Sequence, residues 1–217
     1  MSEDLIDLYC WPTPNGFKIS IMLEEAELPY RVHYVDINAG QQFDPAFLKI
    51  SPNNKMPAIV DQDGPDGNPI AIFESGAILQ YLARKAEVFY PSNERRRADV
   101  DQWLFWQIGG LGPMSGQALH FRKYATENVP YGVDRYTKEV ARLYGVMERQ
   151  LASRPYLAGD YSIADIACYP WISRWPDLGL AIGDFPHIKD WLERVGGRPG
   201  VQRGMALGKD EAARKTA

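Results

Sequence analysis

Residues 56–75 read Met56-Pro57-Ala58-Ile59-Val60-Asp61-Gln62-Asp63-Gly64-Pro65-Asp66-Gly67-Asn68-Pro69-Ile70-Ala71-Ile72-Phe73-Glu74-Ser75. Two short apolar runs, Met56–Val60 and Ile70–Phe73, flank a segment dense in Gly, Pro, Asp and Asn, so the stretch predicts two strands joined by a turn. Pro57 opens the first run, where a missing N–H does least harm to a ladder. Ser75 suits a helix N-cap, and Ala77, Ile78, Tyr81 and Leu82 behind it form one apolar helical face. Strand, strand, helix is therefore the local order.

Working outward, Leu5–Tyr9 predicts a strand and Tyr30–Asp36 a second one, rich in Tyr and Val. Between them Thr13-Pro14-Asn15-Gly16 starts a helix, with Thr13 suited to the N-cap and Pro14 to the first helical position. Ile19, Met22, Leu23 and Ala26 give that helix a buried face. The first 87 residues thus read as β-α-β followed by two strands and a helix. Downstream only helical signals occur. Trp103, Leu104, Trp106 and Ile108 form a long helix that meets Gly109-Gly110 and Gly112-Pro113, where a kink or break is expected. Val140, Leu143, Tyr144, Met147 and Leu151 mark a second helix. Ser162-Ile163-Ala164-Asp165 resembles a capping box with Asp in place of Glu. Ile188, Trp191, Leu192 and Val195 mark a last amphipathic helix, stopped by Gly196-Gly197 and Pro199, with a frayed, charged tail after Gly208. The expected division is residues 1–87, a linker at 88–93 and an all-helical part at 94–217.

Charge follows the same division. Residues 1–88 carry a net −7 and residues 89–217 a net +3. Over all 217 residues the net charge of −4 disfavours nucleic acid, because phosphate binding needs a basic footprint. Two cysteines, Cys10 and Cys168, exclude a disulfide framework or a zinc cluster built on Cys, and three His leave little for any metal site. No run of 18 apolar residues and no basic-then-apolar leader is present, which predicts a soluble cytoplasmic protein that does not enter a membrane. Gly109-Gly110 is no phosphate loop, since no G-x-G-x-x-G follows a strand.

Taken in order, the segments resemble a known family. They are Thr13-Pro14-Asn15-Gly16-Phe17-Lys18, Gly40-Gln41-Gln42-Phe43, Ser51 through Ile59, Phe73-Glu74-Ser75-Gly76-Ala77-Ile78, Gln102 through Gln107 and Gly109 through Met114. Together they resemble the glutathione transferases over nearly the whole chain, and within them the bacterial Nu-class disulfide-bond oxidoreductases. The resemblance implies an α/β N-terminal thioredoxin-like domain plus an all-α C-terminal domain. It implies glutathione as co-substrate, a homodimer, and no metal.

The same resemblance assigns roles. Glu74 and Ser75 hold the γ-glutamyl end of glutathione: Ser75 donates to its carboxylate at the positive end of a helix, and Glu74 faces its ammonium. The backbone of Met56, before a cis Pro57, pairs with the cysteinyl part like an added strand. Lys55 takes the glycyl carboxylate, Gln42 and Asn54 supply further hydrogen bonds, and Arg135 matches a further glutathione-binding position. Thr13 and Asn15 donate to the sulfur. Without a Cys-x-x-Cys pair a dithiol mechanism has no residues, and Cys10 and Cys168 read as buried packing residues. The implied activity is reduction of a small-molecule or peptide disulfide by bound glutathione thiolate, with peroxidase activity as a side reaction. Conjugation of glutathione to electrophiles and a non-enzymatic glutathione-binding role are the alternatives.

Overall fold

The computed structural model describes residues 5–208. In chain order the elements are β1 (Ile6–Cys10), α1 (Pro14–Glu25), β2 (Tyr30–Tyr34), α2 (Pro45–Leu48), β3 (Ala58–Asp61), β4 (Ile70–Phe73), α3 (Ser75–Ala86), α4 (Glu94–Trp106), α5 (Gly112–Leu119), α6 (Pro130–Leu151), α7 (Ile163–Ile172), α8 (Pro186–Gly196) and α9 (Pro199–Ala206). Among the described residues they fall into two compact units. The first runs to Val88 and takes up the chain again at Pro199; the second is Phe89–Arg198.

The first unit is built on a four-stranded sheet ordered β2-β1-β3-β4. β1 and β2 are parallel, joined by the α1 crossover, whereas β3 runs antiparallel to both β1 and β4. The turn-rich segment between β3 and β4 is the expected hairpin connection. Leu8, Ile59, Ile19, Met22, Leu23, Ile78 and Leu82 are fully buried and form the core between sheet and helices. Each such side chain contributes on the order of 1.5–3 kcal/mol.

The Thr13 cap forms as the sequence predicts: Thr13 Oγ1 accepts from Gly16 N at 3.3 Å, and Pro14 stands in the first turn. α1 is more deeply buried than one apolar face accounts for, because Lys18, Ser20 and Ile21 are also covered. α9 supplies part of that cover. Ser20 Oγ donates to Gly204 O at 2.7 Å, and Arg203 Nε donates to Glu24 at 2.6 Å. A Cβ on Gly204 would stand 2.5 Å from both Cα and N of Ile21, so the two backbones meet there. Pro199, read from the sequence as a stop, instead opens this helix, and α9 packs in the first unit rather than in the helical part. The tail expected to fray lies outside the described residues beyond Gly208.

In the second unit the helix through Trp106 does not break at its glycines. Residues Gln107–Leu111 form one π-helical turn, and α5 continues from Gly112 with Pro113 in its first turn. A π turn widens the helix by one residue, which accommodates a proline that removes an N–H and crowds the preceding turn. A second π turn spans His120–Tyr124. Val140, Leu143, Tyr144, Met147 and Leu151 all face the core from α6. The Ser162–Asp165 box is complete. Asp165, fully buried, also accepts from Leu157 N at 3.1 Å and Trp191 Nε1 at 2.9 Å. Burial raises its carboxyl to about 6, against the pull of these donors. Cys168 is buried. Trp103 and Trp106 are half-buried and pack edge to face at 5.2 Å.

Candidate active site

Three segments of the first unit converge on one small cleft lined by Asn15, Ser51, Asn53, Lys55, Met56, Pro57, Phe73, Glu74 and Ser75. α1 brings Asn15 at its first turn. The loop before β3 brings Ser51 through Pro57, and the β4–α3 junction brings Phe73, Glu74 and Ser75.

The Met56–Pro57 peptide is cis. The loop before it is held by Ser51 Oγ, which donates to Lys55 O at 2.7 Å, and Asn54 takes a left-handed turn at φ +50°. Lys55 is exposed beside this cleft. Thr13 joins the cluster through Met56: its hydroxyl donates to Met56 Sδ at 3.5 Å while the same oxygen caps α1.

At the opposite end the sequence reading needs correction. Ser75 is not the N-cap of α3 but its first helical residue. The cap is Glu74, held at φ +70° and ψ +114° with no side-chain capping bond. Such a backbone costs on the order of 1–3 kcal/mol for a residue with a side chain, and this kind of outlier concentrates at binding sites. It leaves the first amides of a 12-residue helix without a side-chain cap and presents the Glu74 carboxylate beside them. Ser75 is buried, and its Oγ accepts from Lys18 Nζ at 3.2 Å. Lys18 is itself only 2% exposed. Lys18 and Asn53 lie in segments that carry the family resemblance but were given no site role, because their placement depends on a fold that joins segments far apart.

Two expected residues stand elsewhere. Gln42 sits on a 3₁₀ turn at Gln41–Phe43 outside the lining, its Oε1 buried without a hydrogen-bond partner. That turn is anchored through Gln41 Oε1, which accepts from Asp36 N at 2.8 Å. Arg135 belongs to the second unit, exposed on α6 in a cleft with Met114, Tyr131, Glu139 and Arg142. Cys10 is not among the lining residues. It is 3% exposed on β1, and burial pushes its thiol up to about 12, so no thiolate forms there near neutral pH. Among the described residues no group of three or more His, Cys, Asp or Glu could hold a metal, and no helix is long and apolar enough to cross a membrane.

A mixed sheet of this order, with a cis-proline loop bonded to the N-terminus of the first helix, defines the thioredoxin-like class of fold, here followed by a helical unit. Residues 5–84 match the family model of the glutathione S-transferase N-terminal domain, and residues 117–199 match that of the C-terminal domain. The chain belongs to the glutathione S-transferase family. The disulfide-bond oxidoreductase YfcG of Escherichia coli is 52% identical over 205 residues, covering 94% of each chain. Disulfide-bond oxidoreductase YghU of the same organism is 37% identical over 218 residues, 94% of this chain and 75% of that one. Among solved structures, a glutathione transferase from Burkholderia graminis with two glutathione molecules per subunit superposes with a TM-score of 0.90 at 44% identity, covering 95% of this chain and 89% of that one. One from Pseudomonas putida with a glutathione disulfide per subunit gives 0.89 at 41%, covering 94% and 92%.

Proposed function

We propose that this chain is a glutathione-dependent disulfide-bond reductase that draws its reactive thiol from glutathione rather than from a cysteine of its own. The observation that carries this reading is the Thr13 hydroxyl, which caps a helix and donates to a sulfur, beside a cleft whose lining residues include no cysteine. The names of the relatives support it, as do the glutathione and glutathione disulfide bound in the related structures.

The donor set suits the ligand. Glutathione has two carboxylates, one ammonium and one thiol. Ser75 and the first amides of α3 suit the γ-glutamyl carboxylate, Glu74 the ammonium, Lys55 the glycyl carboxylate, and the Met56 backbone the cysteinyl amide. Thr13 and Asn15 stand at the N-terminus of α1, where hydrogen-bond donors and the helix dipole lower a thiol pKa from about 8.5 toward neutrality. Each unit of that shift is about 1.4 kcal/mol of preference for the thiolate. When bound, glutathione supplies this thiolate to open the substrate disulfide, and a second glutathione completes the exchange, so two thiols and one oxidised glutathione leave per disulfide reduced. The assembly is a cytoplasmic homodimer.

The test is turnover of a small dialkyl disulfide in the presence of glutathione, followed by oxidised glutathione formed. Rates no higher than those without protein overturn the proposal. A higher rate on an activated aryl halide than on the disulfide makes conjugation the main activity instead. A monomer mass by light scattering at micromolar concentration removes the dimer.

A further inference from the structure

Lys18 is a fully covered cation in an acidic unit, and one of its hydrogen bonds reaches the cleft. The ammonium donates to Ser75 Oγ at 3.2 Å across 57 residues of chain. Lys18 lies one helical turn beyond Asn15, so α1 presents two polar groups to the same region, one lining the cleft and one behind it. Burying an ammonium is costly, and such a group is retained where an anion or a well-placed acceptor meets it.

The donor direction matters. A Ser hydroxyl has one proton and two lone pairs. With one lone pair occupied by Lys18, the Ser75 proton is directed to another acceptor, and a charged donor on its oxygen makes that O–H more acidic and a stronger donor. Ser75 lines the cleft at the first turn of α3, where the helix amides also favour an anion.

We propose that Lys18 is a positioning residue for glutathione recognition. It fixes the Ser75 hydroxyl as a donor to the γ-glutamyl α-carboxylate and supplies the buried positive charge behind that carboxylate. The proposal rests on the glutathione reading and adds to it the residue that selects for this one carboxylate. A neutral side chain at position 18 therefore weakens binding only for ligands that carry the carboxylate.

Calorimetry with two ligands tests it: glutathione, and the analogue in which hydrogen replaces the γ-glutamyl α-carboxylate. Lys18→Met is expected to bind glutathione about 10- to 100-fold more weakly than the unmodified protein, the range for losing a charge-assisted hydrogen bond, and to bind the analogue within about twofold. Lys18→Gln, which keeps a shorter neutral donor, gives the same ligand-selective loss. Either variant decides the matter if the other does not fold. Equal losses for both ligands mean that Lys18 serves only the packing of α1 and overturn the proposal, as does unchanged glutathione binding in a folded variant. An unmodified protein that takes up no glutathione removes the parent reading and this assignment with it, an outcome distinct from failure at position 18 alone.

Discussion

The hydroxyl of Thr13 donates to the thioether sulfur of Met56 at 3.5 Å, joining residues 43 apart in the chain, while its oxygen accepts from Gly16 N at 3.3 Å. The cap of α1 and the cis-proline loop are thereby tied to one atom. That atom already bonds a sulfur, so in the proposed reaction a ligand thiolate asks of it no new type of interaction.

Thr13→Ala is expected to lower kcat/KM for disulfide reduction by about 10- to 100-fold, as loss of a donor to an anion does. It also costs about 1 kcal/mol of stability as a lost cap. Thr13→Ser keeps both functions and separates them from the methyl group. Asn15→Ala lowers activity without the capping cost. Cys10→Ala leaves activity within about twofold, because a thiol raised by burial takes no part in thiolate chemistry. Steady-state kinetics on the four variants checks this, and a large loss only in Cys10→Ala assigns the nucleophile to that residue.

Glu74 combines a strained backbone with the carboxylate assigned to the ligand ammonium. Glu74→Gly relieves the positive φ and removes the charge. The expected result is a midpoint of unfolding unchanged or raised, by about 1 kcal/mol, together with glutathione affinity lowered at least tenfold. Glu74→Gln keeps the strain and loses only affinity. Denaturant titration and calorimetry on both variants measure the two effects separately.

Asp7 gives a pH dependence. Burial alone would raise its carboxyl, but Arg31 Nε, His33 Nε2 and Gln62 Nε2, each 2.7 Å away, outweigh it and hold the group at about 2. An unfolded Asp titrates near about 3.9. Because the folded value is the lower one, the stabilisation is present in full above about pH 4 and is lost as pH falls toward 2. Its size is up to about 2 kcal/mol, reduced from the full shift because Arg31 and His33 are partly exposed. Urea denaturation at stepped pH should show this slope in the unmodified protein and a flatter one in Asp7→Asn.

Gly204→Ala places a Cβ within 2.5 Å of the Ile21 backbone and is expected to cost about 1–3 kcal/mol as α9 is pushed off α1. A lower denaturation midpoint at unchanged m-value is the measurement that checks it.

The elements of the first unit were legible because their signals are local: alternation or apolar runs for strands, Thr13-Pro14 for a helix start, Gly and Pro for the hairpin. The Ser162–Asp165 box was legible for the same reason, since its bonds span three residues. What escaped is long-range. Ser75 looks like a cap by residue type, and only the φ of Glu74 shows that the helix starts one residue earlier than a Ser cap implies. Pro113 and Pro199 carry the same breaker signal, yet one follows a π turn and the other opens a helix, each decided by what the neighbouring turn can accommodate. The Lys18–Ser75 bond escaped as well, because it joins residues 57 apart in the chain.

The return of α9 to α1 has a consequence for the order of events in the cell. A ribosome delivers the sheet, α1 and α3 first, then the whole helical unit, and only afterwards Ser20's partner at Gly204. Until then the face of α1 that carries Ser20 and Ile21 waits open to water or to a chaperone. The glutathione-binding half therefore reaches its finished packing after the half that follows it in the message.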